Sequence, residues 1–105
     1  MLIFDNYGEV KLIVSRCAYY RNISLSLESM TGERIANLSV NIEPLYDGYV
    51  YLDTNNVPTV ENFINKYKLG EFVNAYGESG YCKYPLYKID IKRCKAFGAK
   101  ILEVE

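Results

Sequence analysis

The side chains best suited to chemistry in this chain are its eleven tyrosines, spread from Tyr7 to Tyr87. A tyrosine offers a large amphipathic contact area at low cost in conformational entropy, so it serves well as an anchor against a partner. Tyr19-Tyr20-Arg21 places two rings beside a guanidinium. That combination stacks on a nucleobase or grips a carboxylate. Glu43-Pro44-Leu45-Tyr46-Asp47 gathers carboxylates and a ring in one loop, which suits mimicry of phosphate against an arginine-rich face. Tyr49 and Tyr51 share one side of a strand whose other side is Val50 and Leu52. If the aliphatic side enters the core, both tyrosines face out. Tyr19, Tyr20, Tyr46, Asp47, Tyr49 and Tyr51 are therefore the expected partner-binding surface. Ordinary sheet packing is the competing use for the same rings.

A second surface comes from charge. The chain carries 12 basic and 13 acidic side chains, a net of −1. The basic ones crowd the C-terminal end, where Lys92, Arg93, Lys95 and Lys100 stand close to Tyr84 and Tyr87. This stretch is the alternative, nucleic-acid-binding site, although the overall balance lacks the basic excess usual for such proteins.

Other chemistry is excluded by composition. The chain has no histidine, so neither a Ser-His-Asp triad nor a Cys-His pair can be assembled. Cys17, Cys82 and Cys94 are odd in number and form no C-x-x-C, which signals neither a disulfide framework nor a zinc knuckle. Free thiols fit a reducing cytoplasm. The start, Met-Leu-Ile-Phe-Asp-Asn, has no basic segment and is not a signal peptide. No phosphate-cradling glycine loop and no nucleophile elbow occurs. Asp47, Asp53, Glu71 and Glu78 are available for carboxylate chemistry, but nothing in their spacing brings two together. The expectation is a protein that is no enzyme and needs neither cofactor nor metal.

The elements that must position these residues are mostly strands. Residues 9–16 are β-branched and partly alternating, with Val10, Leu12 and Val14 on one face. Residues 22–29 alternate Ile23, Leu25 and Leu27 with serines. Residues 34–42 alternate again, after a turn in which Gly32 supplies a positive φ. These three predict an antiparallel meander. A loop over 43–48 leads to a short strand over 49–52 and a turn over 53–56. Pro58, a possible Thr59 cap and the stripe Val60, Phe63, Ile64, Tyr67 predict a helix over about 58–69, ended by Gly70 in the left-handed conformation. Residues 71–76 suit a strand or a helical turn. Residues 81–91 are extended, with Pro85 marking an edge strand or a bulge. The tail is a terminal strand or disordered. The fold class is α+β: a mostly antiparallel sheet of four to six strands with one helix packed on one face. The chain reads as one domain over 1–105, with a basic extension over about 92–105, as a monomer or homodimer without a membrane segment.

Tyr7-Gly8-Glu9-Val10-Lys11-Leu12, the strand from Gly32 to Ile42, the Glu61–Lys66 helix and Gly80-Tyr81-Cys82-Lys83-Tyr84-Pro85-Leu86-Tyr87 resemble an uncharacterised family of small proteins. Its members are typically carried on conjugative elements and phages of gut Firmicutes. The resemblance covers about residues 7–87, and the stretch 92–105 departs from it. It carries over no catalytic or binding residue. It implies a protein that binds a host partner, such as a defence nuclease complex, and inhibits it stoichiometrically in the anti-CRISPR or anti-restriction manner.

Overall fold

The computed structural model describes residues 1–17 and 20–102. Its elements run β1 (Leu2–Ile3), β2 (Glu9–Arg16), β3 (Ile23–Ser29), β4 (Arg34–Asn37), β5 (Ser39–Val40), β6 (Tyr49–Leu52), α1 (Val60–Lys66), β7 (Gly70–Ser79), β8 (Cys82–Ile89), α2 (Ile91–Ala96) and β9 (Lys100–Ile101). The fold is α+β and mostly antiparallel, as its alternating strands predict.

The strands divide between two sheets. One has the order β1-β2-β3-β4, with β9 pairing parallel to β2; the other has the order β5-β6-β8-β7. The meander is present, with Leu12 opposite Leu27 and Leu27 opposite Ala36. Its third strand is broken at Leu38, where the chain passes from one sheet to the other. The Leu38 N–H donates to Leu25 O on the first sheet, and Leu38 O accepts from the Asp53 N–H on the second. Splitting the ladder there leaves a fully buried leucine with both backbone groups satisfied.

The apolar faces of both sheets close on one core. Val10, Leu12, Val14, Ile23, Leu25 and Leu27 meet Val50, Leu52, Tyr87 and Ile89, with Val60, Phe63 and Ile64 of α1 laid against them. Phe63 meets Phe4 edge-on, with ring centroids 5.3 Å apart. The Tyr67 hydroxyl accepts from the Ile3 N–H at 2.9 Å, which ties the helix to β1.

Three local expectations are corrected. Thr59 precedes α1 without capping it through its side chain; its hydroxyl donates instead to Asp5 Oδ2 at 2.7 Å. The left-handed residue after α1 is Lys68, with φ 55°, not Gly70. Gly70 opens β7 at a place where a Cβ would lie 2.8 Å from Ile89 Cδ1 and 3.0 Å from Lys88 O. The tail is neither a plain strand nor featureless. It forms α2, whose first turn is capped by Asp90 Oδ1 accepting from the Arg93 N–H at 3.0 Å, and then β9. The alternation of Ile89 and Ile91 disguised this cap as a continuing strand. Residues 71–76 belong to β7, with an irregular register between Phe72 and Tyr76 and Asn74 at φ 59°. Pro85 faces Tyr76 where pairing resumes after that bulge, although β8 itself is an interior strand. Among the described residues, no helix is long and apolar enough to cross a membrane.

Candidate interaction surface

Two connections meet at one end of the molecule. The β2–β3 connection is closed by the Cys17 N–H donating to Asn22 O at 2.7 Å. Asn22 is buried, and its side chain reaches across to the β5–β6 loop. There its Nδ2 donates to Glu43 O at 2.8 Å, and its Oδ1 accepts from the Leu45 N–H at 2.8 Å. Arg16 adds a second tie, donating through Nη1 to Asp47 Oδ1 at 2.8 Å and to Arg21 O at 3.1 Å. The guanidinium holds the Asp47 carboxyl below its ordinary range chiefly through that hydrogen bond.

These ties bring three of the expected contact residues to one end. Tyr46 is 86% exposed on the pinned loop, Asp47 is exposed beside it, and Tyr20 lies half-buried on the neighbouring connection. Tyr19 lies outside the described residues. Tyr49, at the start of β6, is half-buried, with Lys88 Nζ 5.9 Å from its ring centroid.

Tyr51 departs from the expectation of an outward ring: it is 5% exposed. Val50 and Leu52 do face the core. On the opposite side the Tyr51 ring lies along the sheet into the space left by the missing side chain of Gly77 on β7. A Cβ at Gly77 would lie 2.6 Å from the Tyr51 ring and 3.0 Å from Ile42 Cδ1. The Tyr51 hydroxyl donates to Glu43 Oε1 at 3.3 Å, and burial first, then Glu43, raises its pKa. As placed, Tyr51 supports the loop beneath Tyr46 and does not present a ring to a partner.

The basic residues of the tail do not form one patch. Lys92 lines a groove with Lys68 and Lys88, whereas Lys95 lines a separate hollow with Arg16 and Asp47. Arg93 turns back, donating through Nε to Tyr67 O at 3.0 Å with its guanidinium 5.0 Å from the Phe97 ring centroid. Lys100 sits on β9 opposite Ile13. Tyr84 and Tyr87, expected beside these cations, are both buried. The Tyr87 hydroxyl donates to Glu61 Oε2 at 2.6 Å and accepts from Asn65 Nδ2 at 3.2 Å.

The available carboxylates are dispersed or engaged. Asp53 is buried and closes its own turn, accepting from the Asn56 N–H and Nδ2 at 3.1 and 2.9 Å. Glu71 and Glu78 stand at opposite ends of β7, across from Lys88 and Lys83. Among the described residues, no group of three or more Cys, Asp or Glu is gathered as a metal site. Sequence reasoning missed Asn22 and Arg16, the residues that organise the surface. A lone Asn before an alternating strand carries no signal of what it will reach.

A mostly antiparallel two-sheet α+β domain with two tied loops at one end is thus the class that the fold defines. The chain belongs to the family described as Domain of unknown function (DUF4313), whose model matches residues 10–104. The match runs through residues 92–104, so the basic segment, α2 included, is part of the family pattern and not an appendage. No curated protein and no solved structure matches the chain.

Proposed function

We propose that the chain is a non-enzymatic binding protein that acts by protein–protein contact through the end carrying Tyr20, Tyr46 and Asp47. The observation that carries this reading is an exposed tyrosine on a loop whose backbone is already fixed. Asn22 and Arg16 hold residues 43–47 before any partner arrives. A preformed loop forfeits less conformational freedom on binding, which is what turns contact area into affinity. Tyr is also among the residue types enriched at the energetic centre of such interfaces.

The exposed carboxylates of Glu43 and Asp47 suit a partner with a basic face of the kind that binds nucleic acid. Free thiols suit the cytoplasm. The resemblance to small proteins of conjugative elements and phages supports a stoichiometric inhibitor of a host defence complex, of the anti-CRISPR or anti-restriction type. Scattering of Lys92, Arg93, Lys95 and Lys100 over different faces speaks against the nucleic-acid alternative.

The test is site-specific photo-crosslinking in the native host, with a benzophenone amino acid at position 46 and a control at Met30 on the β3–β4 turn. The expected result is one dominant host adduct from position 46, absent from position 30 and competed by nucleic acid. The reading is overturned by equal adduct patterns from both positions, or by turnover of a substrate by the purified chain.

A further inference from the structure

A wide cavity lies away from the Tyr46 loop. It is a groove of about 640 Å³ between the turn after α1, the start of β7, the end of β8 and the start of α2. Small-molecule sites commonly span about 300–1,000 Å³. Three lysines line it, Lys68, Lys88 and Lys92, together with Glu71 and Asp90.

The acids do not neutralise the lysines. Among the described residues the ion pair is Arg16–Asp47, and no lysine of the groove has a carboxylate within bridging distance. Glu71 stands directly opposite Lys88 in the β7–β8 register, yet Lys88 Nζ leans toward the Tyr49 ring. Asp90 is engaged as the α2 cap. Three unpaired cations in one concavity focus a positive field and attract a compact anion. Lysine meets phosphate well because it acts as a point charge with rotatable donors. Gly70, Ile89 and Ile91 supply apolar lining, which suits an organic body attached to the phosphate.

We infer that this groove binds a small phosphorylated molecule, with Lys68, Lys88 and Lys92 gathered on its phosphate oxygens and the Gly70–Ile89–Ile91 wall against its carbon skeleton. The extent of the positive surface favours a small ligand over a nucleic-acid strand. Glu71 and Asp90 lie in the groove, and the remaining tail cations face elsewhere, so no basic track extends from it.

The experiment is a titration of the full-length, isotope-labelled chain with sodium pyrophosphate, adenosine monophosphate and a short oligothymidine, followed by amide chemical shifts at constant ionic strength. Saturable shifts are expected for pyrophosphate and the monophosphate at residues 68–71 and 88–92. Lys68→Gln, Lys88→Gln and Lys92→Gln should each weaken binding about threefold or more, as loss of one exposed charge contact implies. Lys100→Gln should leave it unchanged. Three results overturn the assignment: no saturable shift up to about 10 mM ligand, wild-type affinity in all three variants, or oligothymidine binding more tightly than pyrophosphate. Each variant is first checked for an unaltered melting transition. Failure here leaves the contact reading of the Tyr46 end untouched, since the two sites share no residue.

Discussion

Replacing Tyr87 by Phe removes one oxygen from the centre of the molecule and tests how the second sheet is fastened to α1. Tyr87 is 1% exposed and packs against Phe72, with ring centroids 5.7 Å apart. Phe keeps that packing. What is lost is the hydrogen bond to Glu61 at 2.6 Å and the one from Asn65 at 3.2 Å. A hydrogen bond to a charged group contributes roughly 1.5–3 kcal/mol, but Glu61 is only half-buried and water can replace its partner. The expected cost at neutral pH is therefore about 1–2 kcal/mol. An unfolding entropy of roughly 2.1 cal/mol/K per residue, taken over the whole chain, converts this to a fall in melting temperature of about 5–9 °C.

The same hydroxyl carries a pH signature. Burial first, then Glu61, pushes its pKa up to about 12 from an ordinary 10.0. Between these values the unfolded chain holds fewer protons than the folded one, so stability falls as pH rises. The contribution is complete below about pH 10 and gone above about pH 12. Wild type and Tyr87→Phe should thus differ most at neutral pH and converge across that window, the other tyrosines acting equally in both. Urea unfolding at a series of pH values, followed by circular dichroism, measures the gap. A melting temperature within about 1 °C of wild type, or a gap that stays constant through the alkaline range, refutes the reasoning.

Gly77→Ala drives a Cβ to 2.6 Å from the buried Tyr51 ring and should destabilise by about 1–3 kcal/mol in urea titrations. Phe63→Asp places an unpaired carboxylate against Phe4 and Tyr67 and should abolish cooperative melting, because the several kcal/mol it costs approach the roughly 5–15 kcal/mol such a domain possesses. Asn22→Ala should release the β5–β6 loop, seen as faster hydrogen exchange at the Leu45 amide, with a stability loss of about 1–3 kcal/mol. Burial pushes the Cys94 thiol up to about 11, so alkylation at pH 8 should modify Cys17 and Cys82 first and reach Cys94 only after unfolding.

Periodicity was enough to set the central strands and α1 of this protein, though not α2. Serines interleaved with Ile23, Leu25 and Leu27 force a strand with one buried face, and Val60, Phe63, Ile64 and Tyr67 force a helix with one buried stripe, because each pattern buries its apolar side in only one geometry. The missing histidines likewise removed whole classes of catalysis without reference to any coordinate. Three-dimensional placement decided which face of β6 was free. Alternation correctly put Val50 and Leu52 inward, but only the packing of the Tyr51 ring against Gly77 buried the opposite side. The candidate surfaces were decided in the same way. Asn22 lies 21 residues before Glu43, and Lys68 lies far from Lys88 and Lys92 along the chain. Local sequence governs which backbone shape a segment prefers, since those forces act over a few residues. Which segments meet depends on how two sheets share one core, and that is settled only when the whole chain has packed.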